Sequence, residues 1–242
     1  MFSKTNAQLS VIIPAFNEVK RIESTLAAAD EYLKEKRISY EIIVVDDGSK
    51  DGTAALVRHL AKHIKYLSVL KLPYNQGKGA AVKKGMLAAD GDLMLFMDAD
   101  GSTNINELEK LIPYASQGYD IIFGSRLVQG AVKQTRQGHI RELLGWVFRT
   151  LSHLLTGIDV IDPQNGFKLF TQSAGRRIFS EIKTDGWSFD VEIFVLAKRF
   201  NLKVREVPIV WVNDERSKIS FVSMLRMLFD LLKLSIATRY VR

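Results

Sequence analysis

Short apolar runs alternate with stretches of helical periodicity over the first half of this 242-residue chain. The apolar runs predict buried strands, and the stretches between them have the spacing of amphipathic helices. Because strands and helices alternate, we predict an α/β fold with a mainly parallel, mixed sheet flanked by helices. The predicted strands are residues 9–15, 40–49, 67–72, 91–98 and 119–126, and the predicted helices are 18–36, 51–64 and 77–89.

The second half of the chain is less regular. Residues 166–170 and 203–212 are predicted strands, and residues 139–156 form a predicted amphipathic helix with many large apolar side chains. A second long helix is predicted at 219–240, with its polar residues on one face. Charges in its middle argue against a membrane-spanning helix, which needs about 20 mostly apolar residues. An interfacial helix or a core helix fits better, and we favour membrane contact slightly.

Composition and charge narrow the chemistry. The chain has no cysteine, which excludes disulfides, thiolate metal sites and cysteine nucleophiles. Its net charge of +7 suggests phosphate-bearing partners: a nucleotide, a nucleic acid or an anionic lipid. The first ten residues are too polar and too short for a signal peptide. We therefore expect a protein on the cytoplasmic side of a membrane, without a signal peptide or a clear transmembrane helix.

Aspartates stand at the ends of two predicted strands. Asp46 and Asp47 end the second strand, and Asp98 and Asp100 follow the fourth. Since ligands of open α/β sheets bind outside the carboxyl ends of the strands, we expect these side chains to meet at one edge. Crowded carboxylates repel one another unless a cation compensates, and hard divalent cations take oxygen ligands. The pattern predicts a site for Mg²⁺ or Mn²⁺, although a solvated turn would explain either pair alone.

Several longer motifs carry a family resemblance that covers nearly the whole chain. The segments LSVIIPAFNE, IIVVDDGSKDGT, NQGKGAAVKKGM and DADGST together resemble family 2 glycosyltransferases, which have the GT-A fold. The segments GSR (124–126), DPQNGFKLFT (162–171), WSFDVEI (187–193) and RSKIS (216–220) are similar to those of polyprenyl-phosphate sugar transferases. DADGST is more like the dolichyl-phosphate glucosyltransferase branch than the mannosyl branch, in which Leu-Gln tends to follow the aspartates.

The resemblance implies three groups of site residues, among which Asp98, Asp100 and Arg126 are the catalytic ones. One of Asp46 and Asp47 is expected to accept a hydrogen bond from uracil. Ser102 stands where mannosyl relatives carry Gln. The nucleotide-binding group is Pro14, Ala15, Phe16, Glu18, Asp46, Asp47, Gly77, Lys78, Gly79, Asp98 and Ala99. The metal-binding group is Asp98, Asp100 and Ser102. The acceptor and phosphate group is Arg126, Arg141, Asp162, Gln164, Asn165, Arg216 and Lys218.

The implied reaction is an inverting, metal-dependent transfer of glucose from UDP-glucose to a polyprenyl phosphate. A phosphate oxygen is already anionic at neutral pH, so it needs no general base, but it needs cations to bring two phosphates together. The lipid acceptor implies a peripheral enzyme at a membrane surface. Residues 1–218 are the predicted catalytic domain, with a nucleotide-binding half (1–126) and an acceptor half (127–218). Residues 219–242 are the predicted amphipathic appendage.

Other interpretations remain open. In one, the chemistry is the same but the donor is GDP-mannose or a UDP-N-acetyl sugar. In another, the fold is the same but the acceptor is a sugar hydroxyl. A hydroxyl acceptor requires a catalytic carboxylate, for which Asp162, Asp190 and Glu192 are the candidates. A nucleic-acid-binding module is disfavoured, because exposed aromatic platforms, a helix-turn-helix and a zinc pattern are lacking. The last alternative is a membrane scaffold that uses only the two amphipathic helices.

Overall fold

The computed structural model describes residues 7–134, 139–212 and 221–239, and within them all side chains except those of 139–141, 221–225 and 236–239. The strands are β1 (Leu9–Ala15), β2 (Tyr40–Asp46), β3 (Leu67–Lys71), β4 (Leu93–Met97), β5 (Ile121–Ser125), β6 (Val132–Lys133), β7 (Phe167–Thr171), β8 (Val204–Pro208) and β9 (Val210–Trp211). The helices are α1 (Ile22–Glu35), α2 (Thr53–Leu60), α3 (Lys78–Ala88), α4 (Leu108–Ser116), α5 (His139–Thr156), α6 (Gln172–Glu181), α7 (Phe189–Arg199) and α8 (Phe221–Arg239). A 3-10 turn, Ile105–Glu107, precedes α4.

Seven strands of the described ranges form one sheet, in the order β3-β2-β1-β4-β7-β5-β8. Strand β7 runs antiparallel to both of its neighbours, β4 and β5, and the other pairs are parallel. Strands β6 and β9 form a small parallel sheet beside it. The prediction of a mainly parallel, mixed sheet is confirmed.

Helices cover both faces of the sheet, which explains why the central strands are apolar throughout rather than alternating. In β1, Ile12 packs with α3, α6 and α7, whereas Val11 and Ile13 face the core formed with α1, α2 and α4. Helix α3 lies unusually close to β1, because a Cβ at Gly85 would come within 2.4 Å of the Ile12 side chain. This close packing places the first residues of α3 at the carboxyl edge of the sheet.

Predicted and observed elements differ mainly around the strand ends. Strand β2 stops at Asp46, and α1 begins only at Ile22, because the residues after β1 and β2 form loops at the carboxyl edge. The predicted strand 203–212 is divided at Ile209, where the chain changes partner from β5 to β6. Helices α4, α6 and α7 and strand β6 were not among the predicted elements.

The C-terminal helix packs on the protein along one face, and its contact with a membrane stays a prediction. Met227, Leu231 and Leu234 are buried in the core beside α5 and α7, so one face of α8 packs on the protein. Phe229 and Leu232 on the same helix are each more than half exposed. The predicted domain boundary between residues 218 and 219 lies outside the described residues. Of the helices described, none has both the length and the apolar character needed to cross a membrane.

Candidate active site

The loops after β1 and β2 are hydrogen-bonded to each other. The Asp47 N–H donates to the carbonyl oxygen of Ala15 over 2.8 Å, and the Asn17 N–H donates to the Ser49 hydroxyl over 2.9 Å. Asn17 takes a positive φ of 53°, which Asn tolerates better than most residues. The two strand ends therefore form one rim, which carries the predicted nucleotide-binding residues Pro14, Ala15, Phe16 and Glu18.

Glu18 is held within this rim by an ion pair. Its carboxylate accepts from Nε and Nη2 of Arg21, each over 2.6 Å, and the residue is buried. The N–H of Glu18 donates to the Thr53 hydroxyl over 2.8 Å, which joins the start of α1 to the start of α2. The position of Glu18 is therefore structural, and its contact with a nucleotide stays a prediction.

Asp46 and Asp47 are both buried, but their carboxylates are used differently. Asp47 accepts from the N–H groups of Gln76 and Gly77, over 2.7 and 2.9 Å, and so fixes the loop that leads into α3. Burial raises the pKa of Asp47 above its usual range. Asp46 accepts from the Ser49 N–H over 3.3 Å, and its Oδ1 has no hydrogen-bond partner among the described residues. The predicted bond to uracil stays a prediction for either residue.

The glycines that begin α3 have a structural role in this fold. A Cβ at Gly77, where φ is +110°, would lie 2.3 Å from the carbonyl oxygen of Asp185. A Cβ at Gly79 would lie 2.4 Å from the carbonyl oxygen of Thr184. Both positions thus require glycine because the loop before α7 packs directly on the start of α3. The prediction that the backbone at these two glycines allows a nucleotide to approach closely is not tested by this packing.

Lys78, the first residue of α3, is paired with Asp98. Its Nζ lies 2.7 Å from Asp98 Oδ1, and the rings of Phe96 and Trp187 face it at 5.3 and 5.0 Å. Burial favours the neutral amine, but the nearby carboxylates, Asp98 above all, outweigh it and raise the pKa of Lys78. The ammonium group therefore stays charged at the end of β4.

Asp98 and Asp100 occupy neighbouring positions at the mouth of β4. Asp98 is packed against Gly166, because a Cβ there would lie 2.0 Å from Asp98 Oδ2, and its N–H donates to the Gly166 carbonyl over 3.0 Å. Asp100 accepts from the Ser102 N–H over 2.9 Å. Burial and the charge of Asp98 together raise the pKa of Asp100. The pair therefore carries a local excess of negative charge.

This donor set fits a hard divalent cation that shares its coordination with a substrate. No group of three or more acidic or histidine side chains with ligand geometry occurs in the ranges that the structure describes. Mg²⁺ commonly uses only one or two carboxylates together with substrate phosphates, so Asp98 and Asp100 are sufficient. Ser102 contributes to the site by bonding Asp100, and its role as a third ligand stays a prediction.

Arg126 is fixed beside this site by Asp162. Its Nε and Nη2 donate to the two carboxylate oxygens over 2.8 and 2.6 Å, and its backbone N–H donates to Oδ2 over 2.9 Å. The guanidinium also lies 5.3 Å from the ring centre of Trp211. Burial alone would raise the pKa of Asp162, but the Arg126 charge and hydrogen bonds outweigh it and hold that pKa below its usual range.

The carboxylates considered for a hydroxyl acceptor all have other partners. Asp190 is buried and lies 2.6 Å from the Nζ of the fully buried Lys168. Glu192 accepts from the backbone N–H groups of residues 183 and 184, over 3.0 and 2.7 Å. Asp162 is fully buried in its arginine pair. A general base has to reach the proton that it removes, and this arrangement does not favour any of the three.

The remaining predicted acceptor residues are only partly described. Asn165 is buried, and both polar atoms of its side chain lack a hydrogen-bond partner in the described structure. Gln164 is half-buried on the same turn. The side chains of Arg141, Arg216 and Lys218 lie outside the described residues.

Sequence reasoning missed Lys168, Gly166 and Trp211. Lys168 Nζ donates to the Asn165 carbonyl over 2.5 Å as well as to Asp190, so it holds the turn on which Asp98 rests. The sequence did contain an indication for Lys168. It is two residues from Phe170 in an apolar strand, so its side chain lies on the same face of the sheet and is expected to be buried. A lysine on such a face needs a buried acid, and Asp190 lies in a predicted motif.

The comparison with known families agrees with this geometry. The family model described as Glycosyl transferase family 2 matches residues 10–179. The chain belongs to glycosyl transferase family 2. This family member is 37% identical to a dolichyl-phosphate beta-glucosyltransferase of Trichomonas vaginalis, with 99% of this chain and 76% of that protein covered. It is 39% identical to the dolichyl-phosphate beta-glucosyltransferase of Dictyostelium discoideum, with 95% and 74% covered.

A solved structure supports the GT-A fold of the family 2 chain. Glucosyl-3-phosphoglycerate synthase from Mycobacterium tuberculosis, in complex with Mn²⁺, UDP-glucose and phosphoglyceric acid, superposes with a TM-score of 0.71. The match covers 98% of this chain and 81% of that one at 21% identity. The predicted fold class and the predicted glycosyltransferase identity are therefore confirmed.

Replacement of Lys168 by Met tests the buried pair beneath the site. Removing one partner of a buried ion pair leaves an uncompensated charge, so we expect Lys168→Met to lower the free energy of unfolding by about 3–5 kcal/mol. The double variant Lys168→Met/Asp190→Leu removes both charges and is expected to recover most of that loss. Denaturant unfolding of the wild type and three variants, including Asp190→Leu alone, measures both effects. A double variant no more stable than Lys168→Met would contradict this account of the pair.

Proposed function

We propose that this glycosyltransferase transfers glucose from UDP-glucose to a polyprenyl phosphate of the dolichyl type, with inversion at the anomeric carbon. The observation that carries the proposal is the turn 162–166, which contacts both halves of the site. Asp162 at its start holds Arg126, and Gly166 at its end packs on Asp98. A carboxylate suited to a metal–diphosphate and an arginine suited to a second phosphate are thus joined by one short segment. The dolichyl-phosphate beta-glucosyltransferases among the relatives support this choice of substrates.

The donor half uses residues at the ends of β1, β2 and β4 and at the start of α3. Asp98 and Asp100 would hold Mg²⁺ or Mn²⁺, which as a Lewis acid stabilises the leaving diphosphate. The N-terminus of α3 provides a positive dipole end, and Lys78 adds a full charge there, while the Ala80 N–H of the first turn already donates to the Asp185 carbonyl. These groups neutralise a diphosphate as negative charge develops on it.

The acceptor half is organised around Arg126. Its Nε and Nη2 are used by Asp162, while Nη1 makes no hydrogen bond to any described residue and the side chain is 20% exposed. Asp162 thus orients the guanidinium and leaves Nη1 to donate to a phosphate. A phosphate oxygen attacks as an anion, which agrees with the finding that Asp162, Asp190 and Glu192 are all bonded to other groups. Attack in line with the leaving diphosphate gives a β-linked product from an α-linked donor.

The membrane is the proposed source of the acceptor. Helices α5 and α8 pack together, and both expose large apolar side chains beyond their buried faces. An exposed apolar surface of this kind, on amphipathic helices, suits contact with the interfacial region of a bilayer. The side chains that are more than half exposed are Leu143, Trp146, Leu154, Phe229 and Leu232. We propose peripheral binding on the cytoplasmic side, beside the acceptor phosphate.

Transfer to lipid is tested with a short polyprenyl phosphate, Mg²⁺ or Mn²⁺ and a panel of nucleotide sugars. We expect lipid-linked hexose only from UDP-glucose, detected by mass, and β-configuration by NMR. Asp100→Ala should lower the rate by roughly 10²-fold or more, since several kcal/mol of metal stabilisation are lost. Asp92→Ala is the matched control, because Asp92 is exposed and precedes the opposite end of the same strand, β4.

Each contrary result removes a different part of the proposal. Transfer from GDP-mannose or a UDP-N-acetyl sugar would overturn the donor and keep the chemistry. A product with retained configuration would overturn the in-line attack. Full activity of Asp100→Ala would remove the metal–diphosphate role of the aspartates.

Membrane contact is tested by sedimentation with anionic phospholipid vesicles. Trp146→Asp and Phe229→Asp each place a charge on the apolar surface, and we expect several-fold weaker vesicle binding from each. Tyr66→Asp is the control, because Tyr66 is an exposed aromatic residue that precedes β3, away from α5 and α8. Equal vesicle binding by all three variants would contradict the proposed surface.

A further inference from the structure

Lys78 is the cation that the structure places on Asp98. The 2.7 Å ion pair involves Oδ1 of Asp98, a side chain that is 31% exposed, whereas the Lys78 side chain is only 13% exposed. Two aromatic rings face the ammonium group from within the protein. Lys78 is therefore held between a carboxylate and two rings, with little contact with water.

The carboxylate of Asp98 is packed by Gly166 and paired with Lys78. Gly166 packs against it so closely that a Cβ there would lie 2.0 Å from Oδ2 and 2.7 Å from Oδ1. The remaining approach is shared between solvent and the Lys78 ammonium group. A divalent cation bound to Asp98 would meet a like charge at close range, which is unfavourable.

The other cations near Asp98 already have partners. Lys168 is paired with Asp190, and Arg126 is paired with Asp162. Within the described side chains, Asp98 is also the one carboxylate at ion-pair distance from Lys78. Lys78 and Asp98 thus depend on each other for compensation in the absence of ligands.

The location of Lys78 on its helix makes this pairing conditional. Lys78 is the first residue of α3, where the positive end of the helix dipole disfavours a cation and favours an anion. A diphosphate bound at this end would offer Lys78 a second partner of higher charge. The same diphosphate would supply ligands to a metal on Asp98 and Asp100.

We propose that Lys78 is a placeholder cation, which neutralises Asp98 while the site is free of ligands and moves to the diphosphate when metal and nucleotide bind. This rests on the proposed function, because it needs a nucleoside diphosphate at the start of α3. Metal alone binds weakly, since it has to displace an ammonium group whose one ion-pair partner among the described side chains is Asp98. The nucleotide provides that anion, so metal and nucleotide strengthen each other's binding, and by linkage to the same extent. Lys78 thereby sets how strongly the two ligands depend on each other.

The test is a Mn²⁺ titration followed by the electron paramagnetic resonance signal of free Mn²⁺, without nucleotide and with saturating UDP. Lys78→Met removes the charge but keeps an apolar side chain between the two rings. We expect it to bind Mn²⁺ alone about tenfold more tightly than the wild type, because a neighbouring cation at this distance shifts the affinity of a carboxylate for a charge by at least that factor. UDP should then tighten Mn²⁺ binding by a factor about tenfold smaller than in the wild type.

Three further variants make the titration specific. Lys84→Met is the matched control, because Lys84 is exposed on the same helix, and it should behave as the wild type. Lys78→Arg keeps the charge and should keep the weak binding of Mn²⁺ alone. Lys78→Gln should behave like Lys78→Met. Agreement between the two neutral variants would show that the effect is not caused by misfolding of one of them. Thermal unfolding of each protein verifies the fold.

Two results would overturn the placeholder role. Unchanged binding of Mn²⁺ alone by Lys78→Met and Lys78→Gln would make Lys78 a phosphate ligand only. Weaker binding would mean that the ion pair orients Asp98 for the metal instead of competing with it. Failure of the wild type to bind UDP would overturn the proposed donor and the second partner of Lys78, whereas the nucleotide-free titration would still decide the competition at Asp98.

Discussion

The concentration of carboxylates at the carboxyl edge of the sheet is the constraint on which the site depends. The topology brings the ends of β1, β2 and β4 together, so their acidic residues cannot be dispersed. Three acids in and beneath the site are paired with a cation: Asp98 with Lys78, Asp190 with Lys168 and Asp162 with Arg126. Asp100 has no ion-pair partner among the described residues, and burial together with the charge of Asp98 raises its pKa. A divalent cation with a diphosphate would complete the balance.

The three ion pairs differ in how deeply they are buried, and this difference separates their roles. Lys168 and Asp190 are shut off from solvent and keep the floor of the site in place. Asp162 is fully buried, but its partner Arg126 remains partly exposed and can meet a phosphate. In the third pair both side chains reach solvent, Asp98 with 31% and Lys78 with 13% of its surface exposed. Accessibility thus increases from the structural pair to the pair that we expect to exchange ligands.

The sequence predicted much of the fold because strand and helix periodicities differ clearly in the first half of the chain. It also located Asp98 and Asp100 correctly at the end of β4, since the apolar run before them ends abruptly. It did not predict α6 and α7, whose aromatic side chains pack on residues of β4, β5 and β7.

The contacts that give residues their roles were also beyond the sequence. The pairing of Lys168 with Asp190 joins residues 22 positions apart, and Arg126 with Asp162 joins residues 36 apart. Nothing in the local pattern around Gly77 or Gly79 indicates that the loop before α7 packs on them. Such long-range partners depend on the tertiary structure, which periodicity does not encode.

In the proposed mechanism the site joins two phosphates and therefore needs no catalytic base. The most direct measurement compares polyprenyl phosphate with the polyprenol of the same chain length as acceptor, with UDP-glucose as donor, and follows initial rates by mass. We expect transfer to the phosphate and none to the alcohol, because the candidate bases are all bonded to other groups. Transfer to the alcohol at a comparable rate would contradict this mechanism, and would place a general base among Asp162, Asp190 and Glu192.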